Sequence, residues 1–211
     1  MELCIGAPRL ASEEHYGEAA EAAIIDRCRR QDVEAFGKFV DAYQNRVHGF
    51  VRRMVPNTEE AADVTQEVFI RAFQGFRRFD ARSSVRTWLF RIAYNLCVDR
   101  ARKLKRSLDE VGLRAGESEE QIEVADSRWE PEQLILDQEL QDALEEGIRT
   151  MSEKLRTVLL LHDREDTPYE EIAQILGVPI GTVKSRLFLA RAHLQKVLGA
   201  YLNAEVKSNE S

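Results

Sequence analysis

Apolar residues recur every three or four positions along almost the whole chain, and no alternating run of useful length interrupts them. This spacing places apolar side chains on one face of successive helices, so it predicts an all-α protein. Helical periodicity runs from about Ala20 to Val55, from Thr58 to Phe76 and from Val85 to about Arg106. Further helices are predicted at about Gln133–Thr150, Glu153–His162, Tyr169–Leu176 and Ile180 to about Leu202.

The last two predicted helices carry the signals of a helix-turn-helix. Thr167 and Glu170 match a capping box around Pro168, in which the two side chains satisfy each other's free amide groups. Gly177 suits the left-handed residue that ends a helix, and Pro179 suits the start of the next one. The predicted buried positions are Ile172, Ala173, Ile175 and Leu176 in the first helix and Ile180, Val183, Leu187, Ala190 and Leu194 in the second.

The outer face of the second helix carries apolar residues that folding does not require. Phe188 and Leu189 lie there with Gly181 and Ser185, flanked by Lys184 and Arg186. Apolar groups can meet thymine methyls in a DNA major groove, while Ser and Lys reach base edges and phosphates. The alternative is a helical hairpin with two surface apolar residues, which are common singly. The capping, turn and charge signals together favour DNA binding.

The helix predicted at Thr58–Phe76 follows a break at Pro56, with Asn57 and Glu60 in the positions of a second capping box. Its outer face is acidic, which is typical of a solvated helix and also of a docking face for a basic protein partner. The predicted inner residues are Ala61, Thr65, Val68, Phe69, Ala72, Phe73 and Phe76; the outer ones are Asp63, Glu67, Ile70 and Gln74, with Gln66 at the edge.

The helix predicted from Val85 to about Arg106 combines basic, aromatic and amide side chains on one face. Such a face suits unpaired nucleic-acid bases, which need stacking surfaces beside a phosphate backbone. The alternative is that Trp88 and Tyr94 complete the core. The core stripe is Leu89, Ile92, Ala93 and Leu96, and the opposite face holds Thr87, Arg91, Tyr94, Asn95, Val98, Arg102 and Lys105.

Charge is strongly segregated along this chain of 211 residues, whose formal net charge is −7. Residues 71–106 contain eleven Lys or Arg against two carboxylates, whereas residues 107–132 contain nine carboxylates against two Arg. Such blocks indicate an anionic partner for the first segment and a flexible acidic linker in the second. The expected architecture is two small helical domains, at 21–106 and 133–203. An N-terminal extension (1–20), the linker (107–132) and a tail (204–211) complete the expected organisation.

Several function classes lack support in the sequence. Cys4, Cys28 and Cys97 are far apart and fit reduced thiols, with Cys97 a small buried hydrophobe. No metal-ligand spacing, nucleophile motif or phosphate-cradling loop is present, so neither an enzyme nor a cofactor is expected. No signal peptide or membrane span is visible either, which predicts a cytoplasmic protein.

Two runs of sequence resemble known motifs of bacterial RNA polymerase sigma factors. The run DVTQEVFIRAFQGFRRFDARSSVRTWLFRIAYNLCVDRARK (63–103) resembles sigma region 2, and YEEIAQILGVPIGTVKSRLFLAR (169–191) resembles region 4. Both runs in this order on a short chain resemble the extracytoplasmic-function (ECF, group 4) sigma factors of the sigma-E type. The similarity covers most of residues 25–200.

The resemblance implies an alternative sigma factor that binds core RNA polymerase and melts the −10 region of a specialised set of promoters. It implies docking on the β′ clamp helices by Asp63, Gln66, Glu67 and Ile70. It implies −10 contacts, including a flipped base, by Asp80, Arg82, Ser83, Ser84, Trp88, Arg91, Asn95 and Arg102. It implies −35 contacts by Thr182, Lys184, Ser185, Arg186, Phe188 and Leu189.

Two positions depart from relatives of the family. Primary sigma factors open the duplex with a tandem Trp pair, whereas Trp88 here is followed by Leu89, which implies that melting depends more on a near-ideal promoter. Leu189 stands where some relatives carry Arg. The partners implied are the polymerase β and β′ subunits, promoter DNA and an anti-sigma factor. The alternative function is a helix-turn-helix regulator that acts without core polymerase and carries a sensory or dimerisation domain in front.

Overall fold

The computed structural model describes residues 18–55, 57–110 and 138–209, and the regular elements within these ranges are helices. The predicted all-α fold class is therefore confirmed for them. Most of the expected N-terminal extension and linker lies outside the described residues. The helices are α1 (Glu18–Arg29), α2 (Val33–Met54), α3 (Thr58–Gly75), α4 (Val85–Glu110), α5 (Gln138–Thr150), α6 (Glu153–Leu159), α7 (Tyr169–Leu176) and α8 (Ile180–Asn209).

The first predicted helix is divided in two, so its continuous periodicity was misleading. Gln31 has φ of 63°, a left-handed conformation that ends α1. Asp32 then begins α2, because its carboxylate accepts the N–H of Ala35 at 3.1 Å. Gln31 also donates to the carbonyl of Phe73 at 3.0 Å, which fixes this break against the end of α3.

Both predicted capping boxes were wrong in detail, although one helix start is confirmed. Asn57 caps α3 by accepting the N–H of Glu59 at 2.9 Å, but Glu60 bonds Arg100 of α4 instead of closing the box. At α7 the capping position is Pro168, one residue later than predicted. Thr167 turns its hydroxyl towards the Glu165 carbonyl, at 3.4 Å. Thus the ion pair of Glu60 with Arg100 takes the place of the predicted bond within α3, and Pro168 occupies the capping position that was predicted for Thr167.

Two helices run beyond their predicted ends. α4 continues to Glu110, into the segment assigned to the linker, and α8 continues to Asn209, into the predicted tail. Conversely, α6 gives way early to a π-helical turn at Leu160–Arg164. Helix ends carry weaker sequence signals than helix faces, because capping contributes less than burial of an apolar stripe.

The N-terminal bundle, α1–α4, is built around aromatic rings. Phe39 meets Phe76 edge to face with centroids 5.0 Å apart, and Phe36 meets Phe73 at 4.9 Å. Phe50 of α2 meets Phe90 of α4 at 5.5 Å and an interplanar angle of 90°. Edge-to-face contacts add to the stabilisation that comes from burying these large apolar surfaces. They join α2, α3 and α4 into one domain.

The C-terminal bundle, α5–α8, packs mainly against α8. The predicted stripe of α8 is buried at Val183, Leu187, Ala190 and Leu194, whereas Ile180, predicted to be buried, is 38% exposed at the start of the helix. Ile172 and Ile175 of α7 are buried against this stripe, as predicted. Gly177 has φ of 65° and ends α7 in the predicted left-handed conformation.

The two bundles pack against each other, with α4 on α7 and α2 on α6. Their buried residues form one continuous apolar core. Arg156 of α6 reinforces this junction by donating to the carbonyl of Arg53 in α2 at 3.0 Å and to that of Ile148 in α5 at 3.0 Å. Burial lowers the pKa of Arg156, but these carbonyl contacts satisfy its buried N–H groups.

Candidate nucleic-acid interface

α7 and α8 form a helix-turn-helix in which the second helix turns away from the first. The two helices meet at 102° across the short turn that contains Gly177 and Pro179. Arg191 of α8 pairs with Asp163 at 2.7 Å, which anchors α8 to the π-helical turn. The amino-terminal half of α8 is therefore held in a fixed direction with one face outward.

The outward face of α8 presents the predicted −35 residues. Lys184 and Ser185 are exposed, and Phe188 is 61% exposed. Thr182, Arg186 and Leu189 are half-buried at the edges of this face. Lys184 lies over the ring of Tyr169 with its Nζ 5.7 Å from the centroid. An exposed phenylalanine one helical turn beyond a lysine and a serine is suited to a major groove.

We predict that Phe188→Ala weakens use of the promoter by about 1–3 kcal/mol, the usual cost of one base-edge contact. Because Phe188 is 61% exposed, its removal leaves no cavity and should change stability by less than about 0.5 kcal/mol. The measurement is transcription by core polymerase across a panel of −35 variants. Equal transcription of that panel by the wild-type and variant proteins would contradict this assignment.

The predicted −10 residues lie in the loop before α4 and along its exposed side. Asp80 accepts the N–H of Arg82 at 3.2 Å and also pairs with its guanidinium at 2.8 Å. Between them Ala81 adopts φ of 59°, so the loop turns sharply. Asp80, Arg82, Ser84, Arg91, Asn95 and Arg102 are exposed, while Ser83 and Trp88 are half-buried.

Trp88 packs in the core and also keeps part of its ring exposed, which are the two alternatives considered from the sequence. Its ring contacts Phe76 and Phe79, each with centroids 5.0 Å away, so one side completes the aromatic core. A Cβ on Gly75 would lie 2.9 Å from the indole, so glycine is needed for this close approach. The half-buried ring leaves part of its surface available beside the loop.

A cavity of about 760 Å³ lies on the other side of this loop, between α1 and α2. Phe39, Tyr43 and Phe79 give it aromatic walls. Arg29 stacks on Phe79 with its Cζ 5.4 Å from the centroid, and its buried Nε has no hydrogen-bond partner. Arginine, aromatic rings and hydroxyls around a space of this size suit a nucleotide. The remaining wall includes Ser83, Ser84, Lys38, Arg46 and Arg86, with the carboxylates of Glu21 and Asp26 on the α1 side.

The predicted polymerase-binding face of α3 is also present. Asp63, Gln66 and Ile70 are exposed, with Ile70 44% exposed, and Glu67 is half-buried beside Arg71 at 2.7 Å. The inner face differs at Val64, which is buried, and at Thr65, whose hydroxyl donates to the carbonyl of Ala61 at 2.7 Å. Packing thus leaves an acidic face with one apolar residue available to a partner.

We expect that reversing charge on this face, with Asp63→Lys and Glu67→Lys together, lowers core polymerase affinity by about 10- to 100-fold. The free energy of unfolding of the double variant should differ from that of the wild type by less than about 0.5 kcal/mol, because both residues lie on the outer face of α3. Titration of labelled protein with core polymerase measures affinity, and thermal unfolding measures stability. Glu59→Lys, an exposed change on the same helix, is the control. A large loss of stability in the double variant would show that the face is structural.

One side of α4 differs from its sequence prediction. Thr87 was assigned to the outward face but is 2% exposed, and Phe90, which the predicted core stripe omitted, is fully buried. Thr87 donates to Glu171 of α7, and Phe90 packs edge to face on Phe50 of α2, so two distant helices cover these residues. Nothing in the local pattern of α4 distinguishes a face buried by a distant helix from a solvated one. The sequence also missed Arg46 and Glu165, which pair at 2.8 Å across the two bundles.

The buried thiols and the acidic groups form no metal centre in the part of the chain that the structure describes. Burial raises the pKa of Cys28 to about 11 and that of Cys97 to about 12, so both thiols are protonated and unreactive at neutral pH. Across the described ranges, three or more His, Cys, Asp or Glu side chains nowhere come together as metal ligands.

Comparison with known proteins identifies both halves of this arrangement. The sigma-70 region 2 family matches residues 39–107, and the sigma-70 region 4 family matches residues 141–194. The chain is 37% identical over 177 residues to the ECF RNA polymerase sigma factor SigW of Bacillus subtilis, covering 82% of this chain and 94% of that protein. The chain belongs to the ECF family of RNA polymerase sigma factors.

Another ECF relative and a solved sigma factor agree with this assignment, and a further solved structure shares the fold. The ECF sigma-E factor of Escherichia coli K12 is 33% identical over 179 residues, with 82% of this chain and 92% of that protein covered. The solved sigma factor RpoE of Bartonella quintana, in complex with the anti-sigma factor NepR, has a TM-score of 0.62 at 25% identity and covers 78% of this chain and 96% of its own. CnrH, in complex with the cytosolic domain of CnrY, shares the fold with a TM-score of 0.59 at 22% identity, covering 84% of this chain and 96% of its own.

As an ECF sigma factor, the chain serves in promoter recognition and transcription initiation with core RNA polymerase. The front domain matches sigma region 2, so it is not the sensory or dimerisation domain that the alternative regulator required. Among the described residues, no single helix is long and apolar enough to cross a membrane; α7 and α8 meet that test only as a bent pair.

Proposed function

We propose that this sigma factor reads the −35 element with the outward face of α8 and opens the −10 element with the loop at residues 79–84 and α4. The observation that carries the proposal is the exposed Phe188, which lies one helical turn beyond Lys184 and Ser185 on the second helix of the helix-turn-helix. The −35 contacts proposed are the six residues Thr182, Lys184, Ser185, Arg186, Phe188 and Leu189.

The proposed −10 contacts combine an aromatic ring near the loop with polar and basic side chains further along α4. Trp88 offers a partly exposed ring near the loop, and Arg91, Asn95 and Arg102 continue along the exposed side of the helix. Unstacking a base costs a few kcal/mol, which stacking and edge hydrogen bonds in a pocket offset. The aromatic cavity beside the loop has the size and the walls for such a base. Asp80, Arg82, Ser83 and Ser84 lie at its border or in the loop itself.

Core polymerase is proposed to bind the acidic face of α3 through Asp63, Gln66, Glu67 and Ile70. Carboxylates around one exposed isoleucine suit a basic partner surface with a small apolar centre. An anti-sigma factor is proposed as a further partner, because the structurally similar sigma factor RpoE of Bartonella quintana was solved in complex with the anti-sigma factor NepR. The protein is proposed to act in the cytoplasm as a regulatory factor without enzymatic activity of its own.

Sequencing the transcripts made by core polymerase with and without this protein tests the function. We expect a small set of start sites that depend on the protein and share upstream elements near −35 and −10. Footprinting of the open complex at one such site then shows unpaired bases at −10. Start sites that are unchanged by the protein would contradict the proposal.

A further inference from the structure

Two glutamates of the C-terminal bundle contact α2 and the start of α4. The side chain of Glu165 is 8% exposed, and its carboxylate accepts a hydrogen bond from Nε of Arg46 at 2.8 Å. The backbone carbonyl of Glu165 accepts a hydrogen bond from Arg86 at 3.2 Å. Glu171 of α7 receives the hydroxyl of Ser84 at 3.1 Å and a hydrogen bond from the hydroxyl of Thr87. The bundles are therefore joined by polar contacts at the −10 loop as well as by apolar packing.

The groups on the N-terminal bundle side of this contact are hydrogen-bond donors. Arg46 and Arg86 supply guanidiniums, with Arg86 Nη2 4.0 Å from Glu171, and Ser84 and Thr87 supply hydroxyls. The backbone N–H of Thr87 bonds the Ser84 hydroxyl at 3.0 Å, which fixes both side chains at the start of α4. Two guanidiniums and two hydroxyls at a helix amino terminus form a site for an oxyanion.

This donor set also borders the aromatic cavity. Arg46, Ser84 and Arg86 line its wall, so an anion held by them would lie next to any base in that space. In single-stranded DNA each base carries a phosphate on its own backbone, and arginine binds phosphate with the same geometry that it uses for carboxylate. The carboxylates of Glu165 and Glu171 therefore occupy positions where phosphate oxygens of a bound strand would fit.

We propose that Arg46, Ser84, Arg86 and Thr87 bind a backbone phosphate of the unpaired promoter strand, and that Glu165 and Glu171 fill this site when no DNA is bound. The proposal rests on the −10 function proposed above and names additional residues for it. DNA and the packed arrangement of the two bundles then exclude each other, because one set of donors serves both.

The dimensions of a promoter also require the two bundles to separate when DNA is bound. Elements centred at −10 and −35 lie about 85 Å apart on B-form DNA, at 3.4 Å per base pair. A globule of this chain length has a radius of gyration of about 17 Å and a diameter of about 45 Å. The packed bundles cannot reach both elements. Binding of both elements by one chain therefore requires the two bundles to move apart.

Removing the charges of Glu165 and Glu171 tests whether these carboxylates compete with DNA for the same donors. In the full chain, Glu165→Gln with Glu171→Gln weakens the contact but leaves the DNA site intact, and Glu59→Gln with Glu170→Gln is the matched exposed control. The probe is a fluorescein-labelled single-stranded DNA of random sequence, about 20 nucleotides long, followed by fluorescence anisotropy. If the packed form is nine-tenths populated, the carboxylate variant binds about tenfold more tightly than the wild type.

Removing the arginine charges tests the site itself. Arg46→Gln with Arg86→Gln breaks the same contact from the other side, and Arg30→Gln with Arg52→Gln, both exposed, is the matched control. Small-angle scattering should show expansion of the arginine and carboxylate variants alike. The arginine variant nevertheless binds the probe more weakly than its control. The slope of its affinity against salt becomes shallower by about 0.7, the value for one lost phosphate contact on a single strand.

Opposite changes in DNA affinity, with expansion in both variants, support the proposal. Equal or parallel changes in the two variants overturn it, as does a carboxylate effect no larger than that of its control. Thermal unfolding of each variant shows whether the bundles themselves remain folded. The carboxylate and arginine variants test the proposal independently of each other. The sigma function is judged separately, by wild-type transcription with core polymerase: its failure would refute the −10 role while the anisotropy still reports on the anion site.

Discussion

Core RNA polymerase should raise the affinity of this protein for a duplex promoter by about 100- to 10,000-fold over the isolated chain. The two DNA-reading elements lie in separate bundles that pack together, so the isolated chain must break this packing and order the bundles at the spacing of the promoter. In the described structure the loop and start of α4 also contact Glu171 of α7. Polymerase that holds the bundles apart would make the second DNA contact effectively intramolecular.

Gel shifts on a promoter found by transcript sequencing measure this effect at physiological salt, with and without core enzyme. Core enzyme alone is the control, and a promoter with a scrambled −35 element tests specificity. Tight, sequence-specific binding by the isolated chain would contradict the prediction. It would also show that the packed bundles do not limit DNA access.

Phe90→Ala should produce the largest loss of stability among the substitutions considered, about 3–5 kcal/mol. Phe90 is fully buried and meets Phe50 edge to face, on a helix that packs against both α2 and α7. Truncation removes apolar burial and leaves a cavity in a close-packed interior. The unfolding temperature should fall by roughly 6–20 °C for a chain of this size.

Denaturant unfolding monitored by circular dichroism measures this change. Phe188→Ala is the matched control, because it removes the same ring from a position that is 61% exposed. Its midpoint should stay close to that of the wild type. A Phe90 variant as stable as the Phe188 variant would show that the buried junction around α4 contributes little to folding.

The outer faces of α3 and α8 were predictable from the chain alone. The exposed position of Phe188 and the acidic surface of α3 around Asp63 are as expected, because both faces lie opposite apolar stripes with helical spacing. Gly177 was predictable for a related reason: a left-handed helix end strongly favours glycine. The roles of these faces in polymerase and promoter binding stay predictions.

The break at Gln31 and the failed capping boxes were less accessible to sequence reasoning. A left-handed glutamine carries no strong signal, and its conformation is supported by a bond to the distant Phe73 carbonyl. Glu60 was placed correctly for a capping box but pairs with Arg100, forty residues away. Local rules account for the bonds available within one helix, and a tertiary partner can replace them.

By itself, the sequence determined that the protein is helical, which residues of α8 face outward and which family the chain resembles, because periodicity, turn residues and motifs are local properties. Only the tertiary structure decided that Thr87 and Phe90 are buried and that Arg46 meets Glu165, 119 positions away. These features depend on how two bundles pack together. That packing is a sum of many weak contacts between distant segments, and none of them leaves a periodic pattern in either segment.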